Sequence, residues 1–419
     1  MRFQAWRRMS SKEEDKKVKP AGKRPLVPKL RFPEFRDAGE WEVKPIGQIS
    51  ENVIAGGTPI TSEKKYWGGS IRWMNSGELN LKKVYEVKGR ITEAGLQNSS
   101  TKVIPKKCVL IGLAGQGKTR GTIAMNMVEL CINQSIAAIF PNEKCFSSAF
   151  LYHNLDNRYD ELRSLSTGGE GRGGLNLQII KSLAVPLPEL KEQQKIADCL
   201  SSLDELISLE AQRLDALKAH KKGMMQRLFP GEGETVPRLR FPEFRDAGEW
   251  EEKSLEKVSI SISSGNDKSD PAGLYNLYGS TGVIGKTSTA SYKGEFILAA
   301  RVGVNAGLLT KAVGEFGVTD NTLTITLKNT IHLDFVFHYL DNWSLNKLIF
   351  GSGQPLITGN QLKALSIFVP SPSEQQRIAD CLSSLDELIN AQSARVADLK
   401  IFKKGLMQRL FPAMKDAHQ

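Results

Sequence analysis

The sequence predicts an α+β protein: two mixed α/β globular regions separated by two long helices that pack on each other as a coiled coil. The whole is an internal tandem repeat with pseudo-two-fold character. Three observations predict it. A long helical stretch occurs twice, a short aromatic segment occurs twice ahead of it, and the chain between them alternates β-branched runs with glycine-rich turns.

The boundaries follow from those repeats. Residues 1–27 hold 9 basic and 3 acidic side chains and little to bury, the composition of a flexible basic leader, in which Met9 is a second candidate start. The lead-in Leu30-Arg-Phe-Pro-Glu-Phe35, closed by Trp41, returns as Leu239-Arg-Phe-Pro-Glu-Phe244, closed by Trp250. A first globular region with its lead-in occupies 28–187, a first spacer helix 188–230, a second globular region with its lead-in 231–370, a second spacer helix 371–412 and a tail 413–419. Residue 237 repeats residue 28, an offset of 209, whereas 374 repeats 192, an offset of 182. The difference of 27 falls between lead-in and helix, so the frame is held while the contents vary.

Within the first region, residues 104–112 and 135–140 read as buried strands and 147–166 as a helix. In the second, 295–301 and 321–327 read as strands and 333–349 as a helix, and each region returns to its frame through a Pro-containing strand, 183–188 or 365–370. The helices carry Glu-Gln-Gln-(Lys/Arg)-Ile-Ala-Asp-Cys-Leu from residues 192 and 374 and end in Gln-Arg-Leu-Phe-Pro at 230 and 412. One apolar stripe runs through Ile196, Leu200, Leu203, Ile207, Leu214, Leu217, Met224 and Leu228. Its twin runs through Ile378, Leu382, Leu385, Ile389, Val396, Leu399, Leu406 and Leu410. Both break at the same two places, Glu210 with Gln392 and Lys221 with Lys403. About 35 residues at about 1.5 Å each give rods of about 50 Å, and two such rods should pack on each other. The competing arrangement is each stripe packed on its own globule. Core packing constrains only the stripe, yet the outward polar positions of Glu-Gln-Gln, Asp-Glu and Gln-Arg-Leu-Phe-Pro also repeat, which suggests recent duplication or two copies of one partner on equivalent patches.

Composition narrows the function classes. With 419 residues, 40% hydrophobic and 25% charged, the chain is an ordinary soluble protein of two or more domains. It has no run of about 18 apolar residues and opens without the apolar segment of a signal peptide, so a cytoplasmic location is expected, with no membrane partner. Five cysteines (108, 131, 145, 199 and 381) without a Cys-x-x-Cys pair indicate neither disulfides nor zinc and are expected as small buried hydrophobes. The five histidines are scattered, so no metal site is expected. The net charge of +11 lies mainly in the leader and the first globule: residues 43–190 hold 18 basic and 12 acidic side chains, residues 252–370 only 10 and 9. A basic balance suits nucleic acid, and the first globule's binding is expected to depend more steeply on salt than the second's.

Catalytic motifs are weak. Gly112-Leu-Ala-Gly-Gln-Gly-Lys-Thr119 fits the phosphate-binding pattern, which needs Thr119 to open a helix, but Arg120-Gly-Thr-Ile-Ala reads as a turn and a strand. Glu34 with Glu42 and Lys44, and Glu243 with Glu251 and Lys253, loosely suggest a nuclease layout, against which a loop clamped by Phe32, Phe35 and Trp41 is favoured. No Asn-Pro-Pro-aromatic or Asp-Pro-Pro-Tyr methyltransferase motif occurs, so no catalytic residue is assigned. Candidate DNA contacts in the first globule are Thr58, Tyr66, Trp67, Arg72, Asn75, Lys118, Arg120, Asn133, Gln134, Arg163 and Arg172. In the second they are Lys268, Tyr275, Asn276, Tyr278, Lys286, Arg301, Asn305, Lys311, Asn321 and Gln354. Arg reads guanine bidentately, Asn and Gln read adenine, and Lys mostly holds phosphate.

The repeated helix and lead-in, Gly56-Gly-Thr-Pro59 with Tyr66-Trp-Gly-Gly69, and Tyr278-Gly-Ser-Thr-Gly-Val-Ile-Gly285 with Thr319-Asp-Asn-Thr322 together resemble the DNA specificity subunit of type I restriction-modification enzymes, over nearly all of 28–412. The resemblance implies two target-recognition domains, each reading half of a split, asymmetric site in double-stranded DNA, held apart by two long antiparallel helices that act as a ruler. It also implies two methyltransferase subunits docked on the repeated frame and motor-nuclease subunits joining them. This chain is then a non-catalytic recognition subunit without its own cofactor. Adenine methylation, ATP hydrolysis and cleavage, with S-adenosylmethionine, ATP and magnesium, belong to the partners. Two other readings stay open: a stand-alone dual-site DNA-binding regulator and a P-loop nucleotide hydrolase.

Overall fold

The computed structural model describes residues 26–115, 119–165, 174–349 and 355–412. All but two residues of the leader, and the whole tail, lie outside them. The chain forms two compact units, one joining the segments up to Ser208 and from Ala397, the other being Leu209–Val396. The division falls inside both long helices, Leu190–Leu228 and Pro372–Leu410, each of 39 residues and so about 58 Å long. Each unit therefore holds one globule, the start of the helix that follows it and the end of the other helix.

Both globules are built on one five-strand order. In the first unit Val53–Ala55, Ile136–Ile139, Val109–Gly112, Ile123–Asn126 and Lys83–Val84 lie side by side. In the second the order is Ser259–Ser264, Thr322–Leu327, Tyr292–Ala300, Leu309–Val318 and Tyr275–Gly279, extended by Gly282–Thr287. The fifth strand is parallel to its neighbour in both, Lys83 opposite Met125 and Asn276 opposite Phe316. What differs is inserted: the first globule adds a four-stranded sheet of Gly89–Ile91, Trp67–Met74, Leu130–Ile132 and Val103–Ile104. The expected return strands are Ala184–Leu187, which contains Pro186, and Ser366–Val369, which stops before Pro370; each is antiparallel to the strand after its lead-in, Glu42–Pro45 or Glu251–Ser254. The helix expected over 147–166 breaks at Arg158 into Ser148–Asn157 and Tyr159–Ser164. Likewise 333–349 is an α-helix only over Leu333–Trp343, after which Ser344 takes a positive φ of 66° and a 3-10 turn follows.

Inside each unit the two helix segments pack on each other and on the globule. Ile196 and Leu200 share a core with Leu406 and Leu410, with Phe150 of the globule and with Val185 of the return strand. Leu228 and Met225 share the other with Ile378, Leu382, Phe335 and Ile367. The rods thus pair, as the stripe predicts, and they also pack on the globules. Toward their middles Leu203, Ile207, Leu214 and Leu217 are only half-buried, as expected where two helices have nothing else to cover them. Polar contacts set the register there. Lys221 Nζ meets Asp386 Oδ1 at 2.6 Å and Lys403 Nζ meets Asp204 Oδ1 at 2.5 Å. Gln392 Nε2 donates to Glu210 O at 2.8 Å and to its Oε2 at 2.7 Å, and Arg395 adds a 2.7 Å ion pair to Glu210. The two breaks in each stripe are therefore cross-helix contacts, and their residue numbers fall on one helix as they rise on the other, which makes the pairing antiparallel. A slip of one heptad would bury each lysine away from its aspartate.

One expectation needs correction. The Glu-Gln of Glu-Gln-Gln does not face outward: Glu192 and Glu374, at 0% and 1% exposure, and Gln193 and Gln375, at 1% each, are buried. Arg31 holds Glu192 through Nε and Nη2 at 2.8 and 2.7 Å and donates through Nη1 to Gly39 O at 3.0 Å and to Ala38 O. Arg240 repeats this on Glu374 at 2.7 and 2.8 Å. Leu30 N donates to Arg409 O at 2.9 Å and Leu239 N to Arg227 O at 2.8 Å, occupying carbonyls that a helix end leaves without partners. Each lead-in so clips the start of one helix to the end of the other. Gln193 Oε1 accepts from Ser147 N at 3.0 Å and Gln375 Oε1 from His332 N at 2.9 Å, tying each globule's helix to its long helix. These residues repeat because their interior contacts repeat.

The cysteines also divide. Cys108 and Cys131 are buried, and burial pushes the Cys108 thiol up to about 12, whereas Cys145 is exposed and Cys199 and Cys381 are half-covered. Their positions on the polar edge of the stripe explain the last two.

Arg240→Met should lower unfolding stability by about 3 to 5 kcal/mol, because Glu374 would stay buried without a partner. Arg238→Met, which removes an exposed pair with Glu234, should leave the denaturation midpoint unchanged. Chemical denaturation of the two variants side by side checks this.

Candidate nucleic-acid interface

Each globule carries a glycine loop pressed against the loop that precedes the second strand of its sheet. Gly56 N donates to Ile136 O at 3.3 Å and Gly57 N to Ile132 O at 2.9 Å. A Cβ on Gly56 would stand 1.8 Å from Ile132 O, and one on Gly57 2.2 Å from Ser100 Oγ. In the second globule Gly265 N donates to Thr322 O at 3.0 Å, and a Cβ there would stand 2.2 Å from Val318 O. Gly265 lies 209 residues after Gly56, the lead-in offset, so the two loops are equivalent. Neither has room for a side chain.

In the first globule this loop brings Thr58 to Gln134, with Thr58 Oγ1 donating to Gln134 Oε1, beside Asn133. Trp67 stands edge-on to Trp73 with centroids 5.1 Å apart, and Nε1 of Trp73 donates to Gly57 O at 2.9 Å. Thr58, Trp67, Asn133 and Gln134 therefore belong to one surface. Tyr66 is buried beneath it. Arg72 lies on the strand Trp67–Met74 and holds Glu86 at 3.3 Å; the Val87 amide first, then Arg72 and Arg90, hold the Glu86 carboxyl down at about 2. Asn75 caps the turn after that strand, its Oδ1 accepting from Gly77 N at 2.8 Å. Arg120 and Arg163 come together elsewhere: Gly121, at φ 77°, places the turn containing Arg120 against the Arg163 side chain, whose Nη1 donates to Tyr159 OH at 2.8 Å.

In the second globule Asp267 replaces Thr58. Its Oδ2 accepts from Val318 N at 2.8 Å and its Oδ1 from Ser291 Oγ at 2.5 Å, with Lys268 exposed beside it. Thr319 N donates to Tyr278 O at 2.9 Å, which brings the Tyr275–Gly279 strand to the loop. On that strand Asn276 accepts from Lys286 Nζ at 3.0 Å and Tyr278 packs on Phe316. Arg301 N donates to Asn321 O at 3.0 Å, and Asn305 closes the next turn by accepting from Leu308 N at 2.9 Å. Lys311 stands apart, paired with Asp334 at 2.7 Å on the helix Leu333–Trp343. Lys118, Arg172 and Gln354 lie outside the described residues.

Sequence reasoning missed several residues here. Gly265 and Asp267 carry no motif of their own, although counting 209 residues on from Gly56 and Thr58 finds them, and Thr319 and Thr322 stand in the Thr319-Asp-Asn-Thr322 motif but outside the candidate DNA contacts. Arg301 Nε, Thr319 Oγ1 and Thr322 Oγ1 are buried without a hydrogen-bond partner among the described residues, an uncommon grouping in a folded protein. Val304, 98% exposed, tops the turn between Arg301 and Asn305. An aliphatic side chain offers no polar readout, so its residue type does not mark it as a contact.

Catalytic layouts fare differently. After the strand Val109–Gly112, Thr119 lies in a turn leading to Ile123–Asn126, and these strands pair antiparallel with Leu110 opposite Ala124. No helix opens at Thr119, so the phosphate-loop geometry is missing. The lead-in carboxylates each keep their own cation: Glu34 with Lys195 at 2.9 Å, Glu42 with Lys44 at 2.8 Å, Glu243 with Arg377 at 3.2 Å and Glu251 with Lys253 at 2.9 Å. Among the described residues no three His, Cys, Asp or Glu side chains group as metal ligands, and no helix is long and apolar enough to cross a membrane.

Gly265→Ala should lower affinity for the chain's own DNA site at least ten-fold, by forcing the loop off Val318. Gly248→Ala, where a Cβ meets nothing within 4 Å, should leave it unchanged. Fluorescence anisotropy with a duplex carrying the site distinguishes them.

Sequence comparison agrees with the geometry. The profile of the type I restriction modification DNA specificity domain matches residues 38–219 and 248–398. The type I restriction enzyme EcoprrI specificity subunit of Escherichia coli is 25% identical over 376 residues, 85% of this chain and 90% of that one. The MjaVIII specificity subunit of Methanocaldococcus jannaschii is 24% identical over 427 residues, 91% of this chain and 93% of that one. In fold, the crystal structure of a type I restriction-modification S subunit from M. genitalium superposes with a TM-score of 0.63 at 16% identity, covering 93% of this chain and all of the other. With the profile matching both repeats and well over half of the residues, the chain belongs to the type I restriction-modification DNA specificity family.

Proposed function

We propose that this chain is the recognition subunit of a type I restriction-modification complex, in which each globule reads one half of a bipartite, asymmetric site on double-stranded DNA and the paired helices set the spacer between the halves. The observation that carries the reading is the pair of equivalent glycine loops, built on the same five-strand order and flanked by different side chains. Equal platforms with unequal contents suit two different half-sites.

The two surfaces differ in chemistry as their charges do. The first offers Thr58, Trp67, Asn133 and Gln134 from a globule rich in lysine and arginine. The second offers Tyr275, Asn276, Tyr278, Arg301, Asn305 and Asn321 from a nearly neutral one, so hydrogen bonding to base edges carries more of its binding than phosphate attraction.

The chain itself supplies recognition and not chemistry in this reading. Two methyltransferase subunits dock on the repeated frame and motor-nuclease subunits join them. Adenine methylation, ATP-driven translocation and cleavage, with S-adenosylmethionine, ATP and magnesium, are the partners' work in the cytoplasm. Identical exposed residues remain as docking candidates once the buried Glu-Gln pairs are set aside: Gln194 with Gln376, Asp198 with Asp380, Glu205 with Glu387, and Lys222 with Lys404.

Inserting one heptad into both long helices should lengthen the spacer of the methylated site and leave both half-site sequences unchanged. Methylation mapping in cells carrying the altered chain reads this directly, and an unaltered spacer would contradict the ruler.

A further inference from the structure

Among the described residues, each unit buries one histidine completely. His153, on the helix Ser148–Asn157, and His338, on Leu333–Trp343, are both 0% exposed. His153 Nδ1 stands 3.9 Å from Asp204 Oδ2 and its Nε2 is 3.2 Å from Ser201 Oγ. His338 Nε2 stands 3.7 Å from Asp386 Oδ2. These are the two aspartates whose other oxygens are held by Lys403 and Lys221 of the opposite helix. So the same trio of a globule's histidine, its own helix's aspartate and the other helix's lysine occurs twice.

The trio is costly as it stands. His153 Nδ1, Asp204 Oδ2 and both ring nitrogens of His338 have no hydrogen-bond partner among the described residues, and distances of 3.7 and 3.9 Å are beyond hydrogen bonding. Burial, helped by Lys403 and Lys83 at His153 and by Lys221 at His338, pushes both imidazoles toward the neutral form, that of His338 down to about 4. A neutral ring has an N–H to offer the carboxylate once the gap closes by about 1 Å. A leucine would fill either core position without an unpaired polar atom, so packing alone does not account for two histidines.

We propose that Asp204 and Asp386 key each reading globule to the helix pair, and that His153 and His338 are positioning residues that fix the globule's seat on the ruler. In each unit the aspartate carboxylate is approached both by a histidine of the globule and by a lysine of the opposite helix. A displacement of the globule along its helix moves the histidine off the carboxylate, while a slip between helices moves the lysine off it. Both adjustments that would blur the spacing of the half-sites are opposed at a single side chain.

This inference rests on the ruler reading above, and its test separates the two. The full chain, assembled with the methyltransferase subunits of its own system, is offered a DNA library with the native spacer and spacers one base pair shorter and longer. His153→Leu and His338→Leu should each raise methylation of the off-length sites relative to the native length by about ten-fold, without lowering the thermal midpoint. Retention of a single spacer by folded, active variants would overturn the proposal and mark the histidines as ordinary core. Should a histidine variant fail to assemble, Lys403→Met and Lys221→Met, which cut the other arm, are read in the same library with the same two outcomes. A heptad insertion run alongside assigns any failure. If it shifts the spacer while these variants keep one length, only the keying is wrong; if it shifts nothing, the ruler is.

Discussion

The clip formed by each lead-in is the constraint on which the rest of the molecule depends. Arg31 grips the buried carboxylate of Glu192 at the start of one helix while the neighbouring backbone, at Leu30, donates to Arg409 O at the end of the other. Arg240, Glu374, Leu239 and Arg227 repeat the arrangement. An ion pair held so far from water gains little net stability but loses much when either partner is removed, so its value is geometric. It selects one antiparallel register at the helix ends, where the apolar core is deepest, and Lys221, Lys403 and the Glu210–Gln392 contact carry that register through the thinly covered middle.

A frame fixed in this way frees what lies between its fixed points. Both globules share the five-strand order, and in each Gln193 or Gln375 ties the globule's helix to the long helix. On that common order the first globule adds a four-stranded sheet and the second the edge strand Gly282–Thr287. The glycine loops mark where frame gives way to contents. Gly56 and Gly265 are excluded from bearing side chains by the carbonyls of Ile132 and Val318, whereas Thr58 and Asp267, two residues on, already differ.

Much of this was legible in the sequence, because periodicity and repetition are linear properties. The stripe, its two breaks and the unequal offsets of 209 and 182 gave the paired helices and the variable contents before any contact was known. Polar residues were harder. Glu192 and Gln193 look like surface residues by type, and only the positions of Arg31, 161 residues before Glu192, and of the Ser147 amide against Gln193 show why they are buried. His153 and His338 sit in unremarkable helical contexts, and their shared feature is a neighbour on another element. Base-reading candidates fared unevenly for a similar reason: Arg72 and Lys311 are drawn into ion pairs with Glu86 and Asp334, and Tyr66 into the core, none of which a residue type announces.

If one pairing of helices holds two dissimilar readers at one spacing, a map of methylated adenines in DNA from cells carrying this chain and its partner subunits shows a single bipartite motif with two unlike halves and one spacer length. A contiguous or palindromic motif, or two halves found at several spacings, would contradict it.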